Sequence, residues 1–293
     1  MLSGKGREAP LSNADQLTID LDAVMASALS LEPLPASVAR LASLVADEGS
    51  DLRDIVEVIS FDQALTGNLL RRANSASSAS INSIRTVHEA VVRLGTGTVL
   101  SLAMTTSVGS RMRVAVPEYG LAERDLWAHS VRATLAAETV KRNAKVPVPS
   151  EVATAALLHD IGKLVLCRFL GPGILGLISA AKDVDHLSQL NAERLLLEVN
   201  HGELGGLVAQ HWRLPDSIVS AISYHHQPDQ CAQPIAYATH LSNLVAHELE
   251  ETEPGDGLDR ATAMRELGID PAKWESICGT VKERYEELCA RYD

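Results

Sequence analysis

The feature that most constrains this chain is its periodicity. From Ile19 onward, apolar residues recur at helical spacing, in short segments punctuated by turn residues. Val38, Leu41, Leu44 and Val45 fall on one helical face, and Leu52, Ile55, Val56 and Ile59 on another. Leu126, Ser130, Ala133 and Ala137 do the same further along. No segment alternates for long with the period of two that a half-buried strand needs, which disfavours α/β architectures. Aromatic residues make up only 3% of the chain and hydrophobic residues 46%, so the core must be built from Ala, Leu, Val and Ile, a mix rich in helix formers. The expectation is an all-α, multi-helix bundle.

Punctuation divides the 293 residues. Residues 1–18 are polar and read as a flexible tail. Residues 19–115 read as an N-terminal helical half and residues 116–250 as a second helical half packed on it. The break falls at VAVPEYGLAE, which holds Pro117 and Gly120. Residues 251–293 read as an acidic linker and a helical extension that closes the bundle. Within this scheme Ser50 and Asp51, Asp62 and Asp216 are expected helix caps, and Gly95 a helix stop. Asn74 and Ser75 are expected to cap a helix end or brace the SASSASINSI loop. EVATAALLHDIGKLVLCRFL reads as one apolar helix ended by the Gly-Pro-Gly at 171–173.

The formal net charge of -12, with no long basic run, argues against direct nucleic-acid binding. The four cysteines form no CxxC pair and suit a reducing compartment. No apolar run reaches the roughly 18 residues that span a bilayer, and the first residues lack an apolar signal core. A soluble, cytoplasmic protein is expected.

Five of the ten histidines, with one aspartate, fall on successive expected helices: His129, His159–Asp160, His201 and His225–His226. A helical bundle can bring neutral imidazoles and a carboxylate to one point, the chemistry a divalent metal needs. Asp160 can bridge two ions while His159 binds one. Two ions about 3.5–4 Å apart could clamp a phosphoryl group and activate water. Lys163, one turn beyond His159, is placed to balance phosphate charge. For His88, His186, His211, His240 and His247 an ordinary hydrogen-bonded role is expected.

These residues also carry a resemblance. LLHDIGK at 157–163 resembles the core motif of the HD superfamily of metal-dependent phosphohydrolases. LWAHS at 126–130, NHGELGG at 200–206 and YHH at 224–226 follow in that family's order. HWRLPDSIVSAISYHH is similar to the run in HDOD domains, a degenerate HD branch. LPASVARLASL, ISFDQALTGNLLRRANSA and INSIRTVHEAVVRLG resemble the HDOD N-terminal region, so the likeness covers roughly residues 27–245.

The resemblance implies an N-terminal helical subdomain packed on an HD-like one, and a divalent metal (Fe, Mn, Ni or Zn, one or two ions) held by His129, His159, Asp160, His201, His225 and His226. HD enzymes add a late Asp, and the matching residue here is Asn243, a weaker ligand. The Gly-Tyr-Pro motif of the related cyclic di-GMP phosphodiesterases does not follow YHH. The implied role is therefore a stand-alone bacterial signalling module working through protein or ligand binding, without catalysis. The alternatives are a phosphohydrolase using Asp160 and Lys163 on a nucleotide or cyclic dinucleotide, and a metal- or nucleotide-binding sensor without turnover. A kinase, cyclase or regulator is the implied partner, with a nucleotide second messenger or a second copy of the chain as further options. No membrane partner is expected.

Overall fold

The computed structural model describes residues 21–75, 83–169, 187–253 and 257–292. Among them every regular element is helical, apart from an isolated bridge between Val116 and Leu121. The expected tail, most of the SASSASINSI loop, the Gly-Pro-Gly break and His186 lie outside the described residues.

Local chemistry sets the N-terminal helices. They are α1 (Leu21–Leu29), α2 (Ala36–Ala46), α3 (Leu52–Ser60), α4 (Gln63–Ser75), α5 (Val87–Leu94) and α6 (Thr96–Met112). Asp51 caps α3 by accepting from the Arg53 amide. The Asp62 carboxylate accepts from Leu65 N at 3.0 Å and from Ser37 Oγ at 2.9 Å, so one side chain starts α4 and ties it to α2. Asn74 braces the chain beyond α4, donating to Ile84 O at 2.9 Å and accepting from Ile84 N at 2.8 Å. Thr86 and Glu89 form a capping box at the start of α5. Gly95, at φ +79°, takes the left-handed backbone that ends α5, and α6 leaves at 107° to it. Helices α2 to α6 pack on one another, whereas α1 packs on helices of the second half, burying Ala28.

The second half comprises α7 (Asp125–Asn143), α8 (Val152–Leu158), α9 (Gly162–Phe169), α10 (Gln189–Leu197), α11 (His201–His211), α12 (Asp216–Ser223) and α13 (Pro234–Glu250). Its axis is the long pairing of α7 with α13, and α8 and α12 pack against the same core. Two sequence expectations are corrected here. EVATAALLHDIGKLVLCRFL is two helices, because a turn at His159–Ile161 separates α8 from α9. Asp216 is the first residue of α12 and Pro215 its N-cap, so Asp216 serves the first turn through its charge. The extension adds α14 (Arg260–Glu266) and α15 (Trp274–Tyr292), and α15 buries Trp274, Ile277 and Val281 against α7 and α13. Among the described residues no single helix is long and apolar enough to cross a membrane.

Candidate metal centre

The turn that splits α8 from α9 is what builds the site. It projects His159 and Asp160 from adjacent backbone positions into the bundle, 0% and 2% exposed. Gly162 then lets α9 begin in direct backbone contact with α11, since a Cβ there would lie 1.9 Å from His201 O. This approach sets Asp160 beside His201, the first residue of α11. Gly206 makes room on α11 for the Ser223 side chain at the end of α12, its notional Cβ falling 1.9 Å from Ser223 Oγ, and His225 and His226 follow directly. His129 arrives from α7 and Asn243 from α13. Every residue of the sequence-derived set therefore meets at one place.

Asp160 divides the set. Its Oδ1 lies 3.3 Å from His201 Nε2 and 3.8 Å from His225 Nε2. Its Oδ2 lies 3.5 Å from His159 Nε2 and 3.8 Å from His129 Nε2. On the first side, His226 Nε2 is 3.0 Å from His201 Nε2. On the second, His129 Nε2 is 3.3 Å from His159 Nε2 and 2.9 Å from Asn243 Oδ1. Two ligands each about 2.0–2.1 Å from one ion stand about 3.0–3.4 Å apart, the spacing seen on both sides.

The tautomers are fixed from behind. His159 Nδ1 donates to Ala156 O at 2.7 Å and His225 Nδ1 to Ile222 O at 2.8 Å. His129 Nδ1 faces Glu250 Oε2 at 2.8 Å, and His201 Nδ1 faces Glu193 Oε2 at 2.8 Å. Each of these Nε2 atoms is thereby turned inward. His129 Nε2 and His159 Nε2 face each other at 3.3 Å, a spacing that suits a metal ion held by both. His225 Nε2 is buried with no hydrogen-bond partner. An orphaned ligand atom in a nest of imidazoles and one carboxylate fits a divalent cation.

Charge states agree with that fit. Burial pushes His159 down to about 4 against the pull of Asp160, and it pushes His225 and His226 well below the ordinary imidazole value. These three are neutral, the form that ligates. His201 differs. Burial opposes its charge, but Glu193 and Asp160 raise it to about 9. A bound metal would replace this proton. Burial would raise Asp160, yet Lys163, His159 and His201 hold it well below the usual carboxylate range.

Lys163 does not lie one turn beyond His159 on a shared helix face, as the sequence suggests. It belongs to α9, and its Nζ sits 2.6 Å from Asp160 Oδ2. The ammonium is an internal partner of that carboxylate. Sequence reasoning also missed Glu250, Glu193 and Tyr119, and it expected of His247 only the hydrogen-bonded role that its Nδ1 has, 2.7 Å from Thr252 Oγ1. His247 stacks on His129 with ring centres 4.7 Å apart, and burial, then His129, take it down to about 3. Glu250 accepts from Arg132 at 2.6 Å as well as facing His129. Asn243, His247 and Glu250 stand at i, i+4 and i+7 on α13, a same-face spacing that was visible in the sequence. Glu193 and Tyr119 had no such signal. His240 has the ordinary role expected of it, its ring lying between His225 O at 2.7 Å and Leu258 O at 2.9 Å. Beside Asn243 and His226 a cleft of about 440 Å³ opens between α13 and residues 257–261, with Arg260 and Trp274 on its wall.

A helical bundle whose imidazoles converge on one His-Asp turn defines an HD-like helical fold. A family model for the HDOD domain matches residues 31–228, and the chain belongs to the HDOD family. A protein of Treponema pallidum (strain Nichols) is 23% identical over 232 residues, covering 78% of this chain and 44% of that protein, so the chain spans less than half of this relative. Among solved structures, a candidate phosphohydrolase from Shewanella amazonensis SB2B shares 24% identity at a TM-score of 0.64, over 91% of this chain and 98% of that one. An HDOD domain protein of unknown function from Geobacter sulfurreducens shares 21% at 0.62, over 90% and 99%. A candidate signal transduction protein from Marinobacter aquaeolei VT8 shares 22% at 0.67, over 90% and 59%. These likenesses establish the fold.

Proposed function

We propose that the chain is a regulatory signalling module that holds one divalent metal and does not turn over a substrate. His201, His225, His226 and Asp160 Oδ1 would hold that ion. The observation that carries this reading is the state of the other side. There Asn243 stands where an HD enzyme has a carboxylate, and Lys163 Nζ sits 2.6 Å from Asp160 Oδ2, the oxygen that a second ion would need. Two-metal phosphoryl chemistry needs an ion on each side. A bound ion supplies positive charge that joins the His159–Ile161 turn, α11 and the end of α12, and it can polarise an anionic ligand. The helices around it then form a surface for a signalling partner such as a kinase, cyclase or regulator, in the cytoplasm.

A second reading, a phosphohydrolase acting on a nucleotide or cyclic dinucleotide, has one observation in its favour. The cleft beside Asn243 and His226, at about 440 Å³, is in the size range of small-molecule sites. Under that reading Asp160 anchors the metals and Lys163 balances phosphate charge.

One experiment separates the two. Protein purified without a histidine tag is analysed for Fe, Mn, Ni and Zn, then assayed with phosphomonoesters and cyclic dinucleotides. About one equivalent of metal, no hydrolysis, and a fall in unfolding midpoint on chelation are expected. Two equivalents with hydrolysis that is lost in Asp160→Ala would establish the enzyme instead. A chain that takes up no metal would sink both.

A further inference from the structure

We propose that Glu193 and Tyr119 form a positioning pair that holds His201 as a ligand and couples metal occupancy to the junction between the two helical halves. The proposal rests on the metal reading above and concerns residues outside the ligand set.

Glu193 is a carboxylate with no exposed surface, on α10 among leucines. Such a group is costly unless its lone pairs are satisfied. Its Oε2 accepts from His201 N and from His201 Nδ1, both at 2.8 Å. The first of these bonds satisfies an amide that α11 leaves free at its N-terminus. The second fixes the imidazole, so that Nε2 turns to Asp160 Oδ1 and His226. The Glu193 Oε1 atom accepts from Tyr119 Oη at 2.7 Å and from Gln189 Nε2 at 3.2 Å. A carboxylate behind a ligating imidazole both orients it and raises its basicity.

Tyr119 is where this pair leaves the metal centre. It ends the short turn Pro117–Tyr119, which joins α6 of the first half to α7 of the second. That turn is closed by paired backbone bonds between Val116 and Leu121, at 2.9 and 3.1 Å. The Tyr119 ring also meets His201 edge-on at 6.2 Å between centres, and Lys163 Nζ lies 5.4 Å from the ring centre. One side chain of the junction thus contacts Glu193, His201 itself and the cation on Asp160. Any energy by which Tyr119 favours the ligating geometry must be returned as stabilisation of the junction when metal binds, because linkage is reciprocal.

The test uses cobalt(II) on the full chain. Affinity is measured by competition with a chelator, the ligand field by visible absorption, and the junction by amide hydrogen exchange over residues 113–121. Glu193→Gln is expected to weaken cobalt binding about 10- to 100-fold and to shift the absorption bands. Tyr119→Phe, which removes one hydroxyl, is expected to weaken it less, in the same direction. Cobalt should slow exchange across the junction in the wild type and not in Tyr119→Phe. Variants that unfold at lower urea yet keep wild-type affinity and spectrum would overturn the proposal and leave the metal reading standing. A wild-type chain that takes up no cobalt overturns both. Should Glu193→Gln fail to fold, Tyr119→Phe alone decides.

Discussion

Gly162 offers a sharp test of how the centre is assembled. A Cβ at this position would lie 1.9 Å from His201 O and 2.7 Å from Gly205 N. Both neighbours are backbone, so neither can rotate aside. Restoring an ordinary contact near 3.4 Å means moving the start of α9 away from α11 by about 1.5 Å. Alanine returns at most about 1 kcal/mol of helix propensity. Overpacking of this kind costs about 1–3 kcal/mol, or more where backbone must shift. The expected balance for Gly162→Ala is a loss of about 2 kcal/mol, or roughly 4–8 °C in midpoint for a domain of this size. Gly67 in α4 and Gly279 in α15 serve as controls, because a Cβ at either meets nothing within 4 Å. Alanine there should gain about 0.5–1 kcal/mol. Urea unfolding of the three variants measures all of this, and metal analysis of Gly162→Ala should show depleted uptake, since Asp160 and His201 flank the widened gap. A Gly162→Ala chain as stable as the controls would refute the close-approach argument.

Asn243→Asp restores a carboxylate 2.9 Å from His129 Nε2, and metal analysis should then rise from about one equivalent toward two; an unchanged count would show that Lys163 alone keeps the second side closed. Asp62→Ala removes the acceptor for Leu65 N and Ser37 Oγ and should cost about 1 kcal/mol in urea unfolding at neutral pH. The Leu65 amide, then the Ser37 hydroxyl, hold the Asp62 carboxyl below its ordinary 3.8, so its contribution is complete above that value and lost as pH falls through the lower folded one. The gap between wild type and variant should therefore stay constant from neutral pH down to about 4 and close below it; a gap that is already closing at pH 6 would contradict the assignment.

Much of this molecule is written locally, and the parts that are not share a cause. Caps at Asp51 and Asp62 and the stop at Gly95 depend on neighbours within a few residues, and the brace at Asn74 reaches Ile84 across a single loop, so these features are visible in the chain order. The break at His159–Ile161 is different. The run from Val152 to Phe169 is apolar on both sides of His159–Lys163 with no Pro between, so periodicity carries a helix across the turn. What ends α8 is the approach of α11 to Gly162, a tertiary contact. The placement of Lys163 followed the same error, because a position relative to His159 was inferred from a helix that does not continue. Glu193 was invisible for a related reason. A lone acid among leucines looks like an exposed position until α10 is packed, and only its three partners reveal a buried group.

The charges held around the ligands bear on how many ions the centre suits. Asp160, Glu193 and Glu250 are carboxylates in direct contact with the imidazoles. Lys163 and Arg132 are the cations paired with them, on Asp160 and Glu250. With neutral imidazoles the set carries a net charge of minus one. A proton on His201, which Glu193 and Asp160 raise to about 9 against burial, brings it to neutrality. One divalent ion in place of that proton leaves plus one, a charge that a single anionic ligand or hydroxide balances. Two ions leave plus three inside a bundle whose ligands are almost wholly buried, and such a charge is costly without further anions. An aspartate at 243 would remove one unit of that excess, and release of Lys163 from Asp160 another. The same two residues thus act on ligand supply and charge balance together, so each substitution alone should favour a second ion, and Asn243→Asp combined with Lys163→Met should bind it more tightly than either alone.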